Sequence, residues 1–160
     1  MNEFWRKLLD TVEYSDYIAT FADPSRKIVG IDTYSYIIDG NALTANITAT
    51  APQSFNVIMD TDSDFVCTYF SGYGRALGST LMQVNPAMLV QITDRASGKT
   101  FFNQAAPMPM ICGQGGFPFL LTSPRVVRPR STLTLTARSA QVQSFTGFYF
   151  ALHGGRIFYG

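Results

Sequence analysis

The sequence predicts an all-β protein: an antiparallel β-sandwich of jelly-roll type with a short N-terminal helix. Short apolar or alternating runs recur at regular spacing, with turn signals between them. They do not alternate with helical stretches, which argues against a doubly wound fold. Proline and glycine punctuate the chain where strands would turn or end. They are densest over Ala105–Arg138, which carries Pro107, Pro109, Pro118, Pro124 and Pro129. A length of 160 residues suits one domain. The expected division is an N-terminal helix and arm over 1–26 and a single sandwich over 27–160.

The helix is placed at Glu3–Thr11. Phe4, Leu8 and Val12 form one stripe, with Trp5 and Leu9 beside it. So short a helix is marginal alone in water and needs a surface to lie on. It either caps the end of the core or docks on a neighbouring subunit, with Phe4, Trp5 and Leu8 as anchors. Tyr14–Pro24 reads as loop with short extended pieces. Lys27–Asp39 reads as a strand, Asp39-Gly40-Asn41 as a turn and Ala42–Thr50 as a returning strand, which makes a hairpin of Lys27–Thr50.

Phe55–Met59 is the next strand, Asp60–Asp64 a turn, and Phe65–Tyr73 a further strand. Gly72, Gly74 and Gly78 break it up before Leu81–Val84. Met88–Asp94 and Thr100–Phe102 flank the Gly98-containing loop of a longer hairpin. Phe117–Leu121, Ser131–Arg138 and Thr146–Leu152 follow. His153-Gly154-Gly155 reads as a tight turn and Arg156–Tyr159 as the last strand. Within Ser131–Arg138, Leu133 and Leu135 alternate with Thr132, Thr134 and Thr136, so the threonines belong on the outer face.

Composition bounds the function. Charged residues make up 14% of the chain, against about 25% in an average domain, while aromatics reach 14%. A surface so poor in charge is a sheet face or a surface that a partner covers. The net charge of +1 gives no global basic field for nucleic acid. No apolar run is long enough to cross a bilayer, and the N-terminus lacks the uninterrupted apolar region of a signal peptide. Cys67 and Cys112 have no Cys or His at metal-ligand spacing and read as buried reduced thiols.

Candidate chemistry is sparse. Asp60, Asp62 and Asp64 alternate as in a calcium loop. An EF-hand would then need Gly and Glu where Phe65 and Ser71 stand. That leaves a looser calcium site or an Asx-rich turn. Gly113, Gly115 and Gly116 lack the Lys-Ser/Thr and the helix of a phosphate loop, so they read as a turn or bulge. Arg125, Arg128, Arg130 and Arg138 form the one basic cluster, with Arg156 near it. It reads as a charged strand edge or as the rim of a protein interface. His153 is the only histidine, and no nucleophile motif accompanies it. It reads as a turn residue whose ring bonds backbone. These residues suggest no catalytic site, cofactor or metal centre.

Several short motifs occur in order. They are Phe55-Asn56-Val57-Ile58-Met59-Asp60 with Asp62-Ser63-Asp64-Phe65, and Val90-Gln91-Ile92-Thr93-Asp94 with Gly98 and Phe102-Asn103. Then come Gly113, Phe117-Pro118-Phe119-Leu120-Leu121 and Pro124, then Leu133-Thr134-Leu135-Thr136, then Phe150-Ala151-Leu152-His153-Gly154. Over Phe55–Gly160 this order resembles the small β-sandwich virion proteins of tailed bacteriophages, of the collar or neck and capsid-decoration types. The resemblance implies a non-enzymatic, symmetric homo-oligomer without cofactor, at the head–tail junction or on the capsid surface. It implies portal, connector or capsid protein as partners; the charge and the apolar run lengths add the expectation of no specific nucleic acid and no membrane. The protein would be made in a bacterial cytoplasm and end in the virion. The alternative expectation is a carbohydrate- or receptor-binding sandwich of a tail tip or fibre. An enzyme on a jelly-roll scaffold would usually need a histidine cluster that one histidine cannot supply.

Overall fold

The computed structural model describes residues 11–40, 45–113 and 118–160. Two antiparallel sheets pack face to face. The strands are β1 (Ile28–Asp39), β2 (Gln53–Ile58), β3 (Ser63–Ala76), β4 (Gln83–Val84), β5 (Met88–Asp94), β6 (Ala106–Pro107), β7 (Leu120–Val127), β8 (Thr132–Ser139) and β9 (Phe145–Tyr159). Helix α1 (Thr11–Ala19) precedes them, and the single turn α2 (Met108–Ile111) follows β6. One sheet has the order β1-β9-β3, with β4 and β7 both on the far edge of β3. The other has the order β2-β8-β5-β6.

The pairing has a simple logic. β1 pairs with β9, β2 with β8, β3 with β7 and β5 with β6, all antiparallel. The chain is one long hairpin, first strand against last, rolled so that β9 also meets β3 and β8 also meets β5. That is the jelly roll, a double-sheet solution to the problem of exposed edges. It overturns the hairpin expected over Lys27–Thr50. Ile38 and Asp39 lie against Phe150 and Tyr149, and in 45–50 only Ile47 makes an isolated bridge, to Phe145. A turn signal marks where a strand ends, not which strand it joins.

The core follows from alternation. Leu133, Leu135 and Ala137 of β8 point inward, while Thr132, Thr134 and Thr136 stand on the outer face, as their spacing predicts. Across the layer lie Phe65 and Phe70 of β3 and Phe148, Phe150 and Leu152 of β9, all fully buried. Each such phenyl ring contributes about 1.5–3 kcal/mol by leaving water. Phe148 stacks on Phe55 at 5.4 Å between ring centres and so ties the sheets together.

Three glycine readings change. Gly72 and Gly74 do not end their strand; β3 runs through both. A Cβ on Gly72 would meet Met108 at 2.0 Å, and one on Gly74 would meet Pro86 at 2.7 Å. Their role is close packing across the core. His153-Gly154-Gly155 is likewise no turn but the middle of the 15-residue strand β9. A Cβ on Gly154 would lie 1.9 Å from the Val66 carbonyl oxygen, and one on Gly155 would lie 2.9 Å from Ile18. Gly98 and Gly113 do have positive φ, 68° and 80°, as turns require.

Thr11–Ala19 is helical, where loop was expected from Tyr14 onward. Ile18 and Tyr14 bury against Val66 and Ile157 on the outer face of the β1-β9-β3 sheet, with Tyr17, Phe21, Ile28 and Ile31 around them. The four-residue spacing of Tyr14 and Ile18 carries the helical period, but short polar side chains between them mask it. The expected helix over Glu3–Thr11 lies outside the described residues except at Thr11, and so do Phe4, Trp5 and Leu8. Thr100–Phe102 is not a strand; it contributes one bridge, Thr100 to Thr93.

Candidate functional site

The expected basic cluster separates into distinct roles. Arg125 lies on β7, at a sheet edge, and donates to the Phe101 carbonyl at 3.1 Å. Arg128 donates to Asp64 at 2.7 Å. Arg130 follows in the turn before β8, with φ of 61° and its amide on the Asp60 carbonyl. All three side chains are exposed. Arg138 sits on β8, in the other sheet. Arg156 makes a two-pronged pair with Asp32, contacts Asp60 at 2.6 Å and lies 3.8 Å over the Tyr34 ring. Asp32, foremost, and Asp60 hold its guanidinium charged far above the usual range.

The three alternating carboxylates do not converge. Asp60 turns to Arg156. Asp62 is exposed, and Asp64 is fully buried between Arg128 and the Tyr159 hydroxyl. Among the described residues, no three His, Cys, Asp or Glu side chains are grouped to hold a metal ion.

His153 has more structure around it than its sequence context suggests. Its Nδ1 lies 2.7 Å from Ser35 Oγ and its Nε2 lies 2.7 Å from Ser71 Oγ. Its ring stacks on Tyr69 at 4.5 Å. The expected backbone contact of the ring is thus replaced by two hydroxyls, from the strands on either side of β9. Burial lowers the imidazole pKa, so the neutral ring donates through one nitrogen and accepts through the other. Beside it opens a cleft of about 320 Å³, lined by Tyr14, Thr33, Ser35, Tyr69 and His153.

A relay of oxygens closes the helix side of this cleft. The Tyr14 hydroxyl meets Thr68 Oγ1 at 2.9 Å, and Thr68 donates to the His153 carbonyl at 3.2 Å. Thr68 falls where the register of β3 slips against both β9 and β7. The bulge turns its hydroxyl toward the helix and brings Val66 down on Gly154. Desolvation, opposed by the Thr68 bond, pushes the Tyr14 pKa up to about 12.

A serine–histidine hydrolase keeps a carboxylate behind the ring, fixing its tautomer, and donors for an oxyanion in front. Here a second hydroxyl, Ser35, occupies the carboxylate's position. The cluster orders three adjacent strands through one ring. Ser35 and Ser71 lie 118 and 82 residues from His153, so sequence spacing gave no signal for it.

The other candidate feature is apolar. The hairpin joining β3 to β4 exposes Tyr73, Leu77, Leu81, Met82 and Val84, with Leu81 74% exposed. Tyr73 and Val84 are direct cross-strand neighbours. No family model matches the chain, and no curated protein matches it.

Proposed function

We propose that this protein is a non-catalytic structural subunit of a larger particle, a tailed-phage virion, held there by surface burial summed over symmetric copies. The β3–β4 hairpin carries the reading. Five large apolar side chains on one short hairpin are costly to leave in water, and such a patch marks a surface that another protein covers. The jelly roll supports it by analogy of fold, since capsid domains use the same double sheet. The sequence rhythm over Phe55–Gly160 supports the phage assignment in the same way.

The test is the composition of virions of the phage that encodes the chain. Mass spectrometry of purified particles should find the protein at a fixed copy number. About a dozen copies would indicate the neck, and hundreds a decorated shell. Leu81→Asp should reduce incorporation without lowering the melting temperature. Absence of the protein from the particles would overturn the reading.

A further inference from the structure

Among the described strands, β1 ends its sheet. Among the described residues it pairs only with β9. The other edges are blunted or short. β7 contains Pro124 and Arg125, β6 is two residues ending in Pro107, β4 is two residues, and β2 has six after Pro52. β1 has 12 residues with no Pro, Lys or Arg; its Asp32 is paired with Arg156 on the neighbouring strand, and its other charge, Asp39, stands at its end. Its one irregularity is a register slip between Ile28 and Gly30, which leaves Gly30–Asp39 regular.

The free edge has a defined hydrogen-bonding face. The Gly40 amide donates to the Phe148 carbonyl directly opposite it. Opposed residues alternate between bonded and non-bonded pairs. From Gly30 to Ile38 the even-numbered residues of β1 therefore bond to β9. Ile31, Thr33, Ser35 and Ile37 direct their amides and carbonyls to the open side. On the outer face these four read apolar, hydroxyl, hydroxyl, apolar, a chemical palindrome centred on Tyr34.

We infer that β1 pairs with β1 of a second copy, antiparallel, about a two-fold axis at Tyr34. A two-fold interface must be self-complementary, and an antiparallel strand meets that demand only if its pattern reads alike from both ends. This register sets Ile31 against Ile37 of the partner, and Thr33 against its Ser35. Like then meets like on the outer face, with about eight new backbone hydrogen bonds. Ile37, 66% exposed in one chain, gains an apolar neighbour. Registers centred on Thr33 or Ser35 would bring Val29 of the slipped segment or the Asp39 carboxylate against an isoleucine. The inference rests on the assembly reading and names one of its contacts.

The experiment uses the full chain. Sedimentation should show a reversible dimer or an even-numbered assembly. Ile37→Lys should raise the dissociation constant roughly tenfold or more, with melting and circular dichroism unchanged. Cysteine pairing reads the register. A mixture of Thr33→Cys and Ser35→Cys chains should form the interchain disulfide under mild oxidation, because opposed residues lie about 5.5 Å apart. Neither variant alone should do so. The native Cys67 and Cys112 are buried and do not compete. A monomer at all concentrations overturns the pairing, including one that takes a strand from a different protein. So does an assembly indifferent to Ile37→Lys, or one giving no mixed disulfide. The composition of the virion judges the assembly reading separately.

Discussion

Arg128, with 59% of its side chain exposed, reaches 2.7 Å to Asp64, whose carboxylate no solvent touches. Among the described residues, the one other partner of that carboxylate oxygen is the Tyr159 hydroxyl at 3.2 Å. A buried charge stripped of its cation is worse than no charge at all. Arg128→Ala should therefore destabilise the fold by about 2 kcal/mol or more, an unusual cost for a surface arginine. The double variant Arg128→Ala with Asp64→Asn should recover part of it. Denaturant melts of the two variants check this, and an unchanged midpoint for the single variant would refute it.

Gly154→Ala should be among the most damaging single-methyl additions in the chain. The new Cβ would meet backbone rather than a side chain that can move, 1.9 Å from the Val66 oxygen. A loss of roughly 4 kcal/mol or failure to fold is expected. Gly98→Ala meets no atom within 4 Å and carries only the strain of its positive φ, 68°. A melting comparison ranks the two, and equal effects would contradict the close-approach account.

His153 gives the fold an acid-sensitive component. Burial lowers its pKa in the folded state below the usual 6.5, so the unfolded chain takes up its proton first. That contribution to stability is complete above about pH 6.5 and declines as the pH falls toward the folded value. Melting temperature should therefore drop between pH 7 and pH 5.5, and less so in His153→Gln. An NMR titration placing the imidazole at or above 6.5 would reverse the sign.

Tyr14→Phe removes the bond that joins α1 to the β3 bulge and leaves the ring in place. Thr68 keeps the His153 carbonyl, so the expected cost is about 1 kcal/mol. In the native protein the Tyr14 phenol should ionise only near pH 12, later than an exposed tyrosine. Ultraviolet difference titration of wild type against Tyr14→Phe reads it.

Much of the fold was legible because strand alternation is written residue by residue. Ile28–Asp39, Met88–Asp94 and Thr132–Ser139 fall within a residue of their expected bounds. What was not legible is which strand meets which. Asp39-Gly40 marks an end, but the partner of β1 lies more than a hundred residues away in β9. The glycines misled for a related reason. Gly72, Gly74 and Gly154 answer to atoms on other elements of the fold, whereas a local reading sees only their flexibility. The His153 cluster was hidden in the same manner. A bulge at Thr68 and two distant serines assemble it, and none has a local signature.

The first-with-last pairing also sets an order of events during synthesis. β1 leaves the ribosome more than a hundred residues ahead of β9, its only strand partner among the described residues. Until then Ile28–Asp39 carries two open edges instead of one. The nascent chain must keep that strand from premature pairing while the residues between β1 and β9 are made. Because β9 lies between β1 and β3, the first sheet closes only once β9 is made. Non-local closure of this kind makes for slow folding, and loss of β9 would leave β1 without its strand partner.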